Sequence, residues 1–414
     1  METIAESLST PVAGRYDVIV CGGGPAGVGA AVAAARAGAK TLLIEQYGYL
    51  GGMWTAGLVN PFFDQEGKGG LVRELVDRLK AREAWGAFWN ICFDYETMKL
   101  LLDELCGEAG VEVLFHTVFS RPLLEGDRVT GVVVENKSGR QAYLAEVVVD
   151  ATGDGDVAAR AGAEIRIGRD SDGAVQPMTM MFLLGNIQFY QEDAYDLYNM
   201  MKEAVDTHRL AYRIPFQRPF VIQLPVGRYA VVQLTHIRGR SGVDARDLSA
   251  AEQEGRRMAM DAFQVMKRYI PAFRDIDLVA TAAQVGVRES RRVTGEYRLT
   301  RQDVESGAVF PDGILSARFG IDIHNPGDDT QQSYDVRPYQ IPFRCLIPRG
   351  LRGLLVAGRC ISGDFEAHAS YRVTGDCLAM GDAAGCGAAM AAKAGIDVRD
   401  IDIASLREAI GFTG

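Results

Sequence analysis

Residues 16–45 constrain this chain more than any other stretch. An apolar run (Val18, Ile19, Val20, Cys21) leads into Gly22-Gly23-Gly24-Pro25-Ala26-Gly27. An alanine-rich segment follows, Gly38 ends it, and a second apolar run stops at Glu45. Strand, glycine turn, helix, strand and acid, in that order, make a dinucleotide-binding βαβ unit. Each part has a physical task. Gly22 permits the tight turn, Gly24 lets backbone approach a pyrophosphate, and Gly27 lets helix and strand pack closely. The helix that begins at Pro25 and Ala26 points its free N–H groups and positive dipole end toward phosphate. Glu45 stands where a carboxylate accepts hydrogen bonds from a ribose 2′-OH, which argues against a 2′-phosphate.

The composition narrows the class. The chain has 414 residues, room for two domains or one with a large insertion. Net charge is −10 and the basic residues form no cluster, which speaks against a nucleic-acid partner. No uncharged apolar stretch reaches membrane-spanning length, and the N-terminal residues lack the basic start and apolar core of a signal peptide. The seven cysteines include no CxxC pair and sit in apolar runs, as in a reducing compartment, so the expected location is cytoplasmic. No His/Cys cluster has metal-ligand spacing and there is no GxSxG turn. The composition is compatible with a homo-oligomer without deciding one.

The expected organisation has three parts: a first nucleotide-domain segment over 15–165, an α+β substrate domain over 166–340, and a return segment over 341–414. Within the first, residues 94–109 read as an amphipathic helix, 111–116 as a strand, and 129–135 with 141–149 as a meander. In the second, residues 178–184, 220–224 and 229–236 suggest an antiparallel sheet, 250–268 a long helix, and 278–287 another strand. Gly153-Asp154-Gly155-Asp156-Val157-Ala158 also fits GxGxxA. No acid closes a strand after it, so it reads as a turn beside the same ligand and not as a separate nicotinamide site.

The ordered set GGGPAG, Glu45 with Gly51-Gly52, DATGDGD, GVRESRRVTGEY, IDIHNP and LLVAGRCIS with RVTGDCLAMGDAAG resembles the FAD-dependent oxidoreductase family, within the glutathione-reductase-like flavoprotein superfamily. The likeness spans residues 16–393. It implies a glutathione-reductase-type FAD-binding domain with an inserted α+β substrate domain, and FAD held noncovalently. It also implies that Gln46, Gly51, Gly52, Met53 and Thr55 line the cofactor, that Val118 meets the adenine, and that Gly153, Gly358 and Gly381 lie along it. Arg359 stands where the wider superfamily has Asp, and would pair with pyrophosphate oxygens.

The catalytic candidates come from residue chemistry. A base near a reacting C–H needs a pKa near neutrality, which histidine supplies. His368 ranks first by proximity to the cofactor segments, then His324, then His236. In the run 288–292, strand alternation would put Arg288, Ser290 and Arg292 on one face, with Arg288 binding a substrate carboxylate. Arg372 opens the segment leading to the last helix and joins the catalytic set. Trp54, Tyr339 and Arg344 are expected to border the pocket. The implied reaction is hydride transfer between a small organic substrate and flavin N5, with oxygen, a quinone or an electron-transfer protein as acceptor. A flavin monooxygenase, a prenyl-type C=C reductase and a FAD-binding scaffold without turnover remain open alternatives.

Overall fold

A computed structural model describes residues 2–187 and 196–414. Strand Val12–Cys21 lies at the centre of a seven-stranded sheet. It pairs in parallel with Thr41–Ile44 on one side and Gly139–Asp150 on the other. Glu112–Leu114 extends the sheet in parallel beyond Thr41–Ile44. The far edge of Gly139–Asp150 is shared. Its early residues pair antiparallel with Arg128–Asn136, and its last three pair in parallel with Leu354–Val356. The central strands are buried on both faces, as their unbroken apolar runs require. The protein is therefore mixed α/β with a parallel Rossmann-like sheet.

Helix Pro25–Arg36 covers one face of this sheet, and the closing helix Thr374–Ala394 packs on it. Glycine makes that approach possible. A Cβ on Gly381 would lie 2.0 Å from the Ala26 carbonyl oxygen, and one on Gly385 would lie 2.1 Å from that of Ala30. Gly381 thus serves helix packing and does not reach the cleft described below. The closing helix starts at Thr374, ahead of its small-residue run.

A second sheet, wholly antiparallel, runs in the order Phe220–Gln223, Ala230–Gln233, Phe182–Gly185, Asp277–Thr281. Helix Ala245–Tyr269 lies against it, with Gly255 close to Met180 and Ile237. Asp244 caps this helix by accepting from the Arg246 and Asp247 N–H groups. The helix therefore starts five residues before its apolar periodicity becomes evident at 250.

The apolar side chains form two cores. One, over 178–285 with Leu58 and Cys92, belongs to the second sheet. The other belongs to the first sheet and takes in Leu299, Val304, Ile314, Ile321 and Tyr339. The first core thus takes side chains from residues 293–340 as well as from the 341–414 segment. Two further expectations differ from what is observed. His116 takes a left-handed conformation (φ 51°) that separates Glu112–Leu114 from a strand Val118–Glu125, so the chain turns there. Residues 288–290 are not in a strand, so alternation does not govern the 288–292 run.

Candidate functional site

Strands Val12–Cys21, Thr41–Ile44, Gly139–Asp150 and Leu354–Val356 end at one cleft of 790 Å³ that reaches across to the second sheet. Ligands of open α/β sheets bind at the carboxyl ends of the strands, where strand order reverses. The glycine turn forms one wall. Gly22, at φ +98°, has no room for a Cβ beside the Ala151 carbonyl oxygen, 2.5 Å away. Gly24 is different, since a Cβ there would meet only Gly52 Cα at 3.9 Å. The space beside Gly24 is cleft, a cradle that a side chain would fill. Pro25 and Ala26 line the same wall, and helix Pro25–Arg36 presents its N-terminus with no capping side chain. Thr374–Ala394 also begins at the cleft, at Val373 and Thr374, without a side-chain cap. By contrast, Asp94 caps helix Tyr95–Ala109. Uncapped N–H groups at two helix starts make this end of the cleft suited to an anionic, phosphate-bearing group.

Glu45 is buried at the strand end and accepts from the Gly23 N–H at 2.6 Å and the Tyr47 N–H at 2.8 Å. Burial raises its pKa, and those backbone donors work against the rise. Gln46, Gly52, Met53, Val118, Gly153 and Gly358 line the cleft with it. Gly27, Gly51, Thr55 and Gly381 do not. Gly27 abuts the Gly22 carbonyl, Gly51 abuts Thr55, and the Thr55 hydroxyl donates to the Leu50 carbonyl. Gly51 and Thr55 shape the turn behind the wall, and Gly27 and Gly381 let helices pack closely behind it.

Arg359 reaches the cleft but is already engaged. It pairs with Asp154 at 2.5 Å and donates to the Gly153 carbonyl at 3.0 Å. Its role here is to tie the 153–154 turn to the Gly358 turn, so the expected pairing with pyrophosphate would require a competing partner to be displaced. Asp150, which sequence reading did not single out, organises the same turn. Buried at a strand end, it accepts from the Ala158 N–H at 2.9 Å and the Thr152 hydroxyl at 2.7 Å. Burial pushes its pKa up to about 6.

The opposite end of the cleft is made of side chains from distant segments. Arg288 donates to the Pro177 carbonyl at 2.7 Å and the Thr179 hydroxyl at 2.6 Å. Among the described residues it has no carboxylate partner. Burial and the neighbouring Arg372 guanidinium push its pKa down to about 9. Arg372 donates to the Asp322 carbonyl at 2.9 Å and stands 3.5 Å from the Asp322 carboxylate. Asp322 also stands 3.4 Å from His324 Nε2. Burial alone would raise its pKa, but His324 and Arg372 hold it well below the usual carboxylate range. Burial and Arg288 lower His324 to about 3. His236 lies behind His324, its Nε2 3.0 Å from His324 Nδ1, and does not line the cleft.

Other expected residues lie elsewhere. His368 is fully buried in helix Phe365–Tyr371, off the cleft, with neither ring nitrogen hydrogen-bonded among the described residues. Burial holds it well below its ordinary pKa, the reverse of what a base near neutrality needs. Arg292 is buried against Glu289, Trp54 packs on Phe62 and Phe93, and Tyr339 bonds Ser370. Arg344 pairs with Asp312 at 2.9 Å. Among the described residues no group of His, Cys, Asp or Glu could hold a metal ion, and no helix is long and apolar enough to cross a membrane.

The profile of the FAD-dependent oxidoreductase family matches residues 17–410, across both sheets and the cleft between them. The chain belongs to that family. It is an enzyme and its cofactor is FAD, which the glycine turn, the buried acid and the open space at Gly24 fit. A thiamine thiazole synthase of Aeropyrum pernix is 38% identical over 176 residues, covering 36% of this chain and 59% of that protein. The tRNA uridine 5-carboxymethylaminomethyl modification enzyme MnmG of Dichelobacter nodosus is 36% identical over 140 residues, covering 30% of this chain and 22% of that protein. Each match thus reaches only part of the relative's length. A geranylgeranyl bacteriochlorophyll reductase-like protein of Thermoplasma acidophilum superposes over 95% of this chain and 82% of its own, with TM-score 0.47 and 13% identity.

Proposed function

We propose that this FAD-dependent oxidoreductase oxidises or reduces a small organic anion by hydride transfer between a substrate carbon and flavin N5. The observation that carries this reading is Arg288. Its guanidinium is partly sunk in the cleft wall, bonded only to neutral oxygens, and close enough to Arg372 for its charge to be disfavoured. Unpaired cations in such surroundings are costly, and a carboxylate supplies both the missing charge and a planar partner for the fork. Bound at the glycine end, FAD supplies a two-electron acceptor for hydride. Gly22, Gly24, Glu45, Val118 and Gly358 would hold it noncovalently. Arg288 would anchor and orient the substrate carboxylate. Asp322 and His324, beside it on the same wall, would hold the proton that leaves the substrate O–H or N–H as the C–H hydrogen passes to the flavin as hydride.

In this reading residues 178–285 form the substrate lobe of a glutathione-reductase-type arrangement. The absence of a second complete glycine fingerprint favours oxygen, a quinone or an electron-transfer protein as the other redox partner. All seven cysteines are free and buried, in keeping with a reducing compartment such as the cytoplasm.

The test is an anaerobic screen of the yellow holoenzyme against small 2-hydroxy and 2-amino acids, with their amides as neutral controls. The expected result is loss of flavin absorbance with one or more acids and none with the matching amides. Arg288→Met should keep its flavin and lose that response. Bleaching by neutral compounds alone would overturn the proposal.

A further inference from the structure

We infer that Arg238 is a positioning residue that fixes the tautomers of two buried histidines, so that His324 directs an N–H at Asp322. The inference rests on the cleft being the substrate site and adds which group there carries the proton. Three contacts form the chain. Arg238 Nη2 stands 3.4 Å from His236 Nδ1. His236 Nε2 stands 3.0 Å from His324 Nδ1. His324 Nε2 stands 3.4 Å from Asp322 Oδ2, on the cleft.

A guanidinium has only donors, so His236 Nδ1 must offer its lone pair. A neutral imidazole carries one N–H, which in His236 is then on Nε2. That N–H donates to His324 Nδ1, which must also be unprotonated. The single proton of His324 is therefore on Nε2, facing the Asp322 carboxylate. One end of the chain determines the other.

The rings have reason to stay neutral. Both are buried, each 3% exposed. Arg288 and Arg372 oppose a positive charge on His324, and Arg288 and Arg238 oppose one on His236; Asp322 alone among these favours it. The Phe216 ring lies against both, 4.1 Å from His236 and 5.1 Å from His324 between centroids, and limits rotation. Arg238 is itself held by Asp329 at 2.9 Å and the Pro215 carbonyl at 3.0 Å.

The consequence reverses the expected roles. With its proton on Nε2, His324 cannot take another from a substrate at that atom. It is a donor that keeps Asp322 ionised and oriented, and the Asp322 carboxylate, a weak base, is the cleft group left with lone pairs to face a substrate O–H or N–H. Arg238 and His236 touch neither substrate nor cofactor and act only through His324.

The test is the two-bond ¹H–¹⁵N spectrum of histidine-labelled holoenzyme near neutral pH. The chain has only five histidines, so single His→Gln replacements assign each ring. The ¹⁵N shifts separate the two neutral tautomers and the imidazolium. In the wild type both His236 and His324 should show the Nε2–H tautomer. Arg238→Met should abolish the single-tautomer signature of both rings and move the pH–rate profile of flavin reduction. Asp329→Asn loosens the same loop but leaves the guanidinium, and should preserve the wild-type tautomers. A proton on Nδ1 of either ring in the wild type overturns the inference. So does an unchanged spectrum in Arg238→Met, or scrambling by Asp329→Asn equal to that by Arg238→Met. The spectrum needs no substrate, so this outcome is read apart from the success or failure of the carboxylate screen.

Discussion

The two ends of the cleft are built by different means. At the glycine end the determinants are backbone: a positive-φ turn at Gly22, an open space at Gly24, and two uncapped helix starts. At the far end they are side chains from four separated places: Thr179, Arg288, the 322–324 strand and Arg372. A backbone site needs particular residues in consecutive positions, so it leaves a local motif. A side-chain site needs only that the fold bring its members together.

This contrast can be broken or sharpened by substitution. The largest effect is expected behind the glycine wall. A Cβ on Gly27 would lie 1.7 Å from the Gly22 carbonyl oxygen, a backbone atom that cannot swing aside. Gly27→Ala should cost about 3 kcal/mol or more, at the upper end of overpacking effects. A thermal melt should show a large fall in Tm with flavin content falling alongside.

Next comes Arg288→Met at the other end. Loss of a charge-paired anchor should raise KM for a carboxylate substrate by about 100-fold or more, in line with the cost of truncating one partner of a desolvated pair. Flavin content should not change, and Tm should hold or rise, because a cation without a carboxylate partner has been removed. Steady-state kinetics with a flavin count checks both.

A smaller effect concerns acid stability. The folded-state pKa of His324 lies near 3, below its ordinary 6.5. Between those values the unfolded chain binds the proton and the folded protein does not. Folding is therefore weakened progressively as pH falls from about 6.5 toward 3. His324→Gln, which cannot be protonated, should flatten that part of the stability curve in denaturant titrations. An unchanged slope would show that His324 titrates normally. The smallest effect is expected for His368, off the cleft: His368→Gln should lower Tm modestly and leave the rate of flavin reduction unaltered in stopped-flow measurements.

The sequence made the nucleotide end legible because its geometry is written in neighbouring residues. Gly22, Gly24, Glu45 and Gly358 all fall on the cleft, as their motifs require. Glycine identity alone was a poorer guide. Gly381 sits in a helix whose small residues permit contact with Ala26, and Gly51 sits behind a turn. Distance along the chain from the flavin motifs puts His368 first among the histidines, and that measure fails because its helix turns its ring into the core. Arg359 was legible as a cleft residue but not as one already paired, since Asp154 lies two hundred residues earlier. Asp150 could have been found, because an acid ending a buried strand ahead of Thr152 and Gly153 is a turn-organising pattern.

The division between the two ends turns on where FAD sits, and one titration addresses it most directly. Gly24→Val adds a side chain into open cleft and should leave the fold intact, as judged by circular dichroism and melting. Wild-type apoprotein titrated with FAD should quench flavin fluorescence at one equivalent per chain, while Gly24→Val shows no saturable uptake. Equal binding by the two folded proteins would contradict the account.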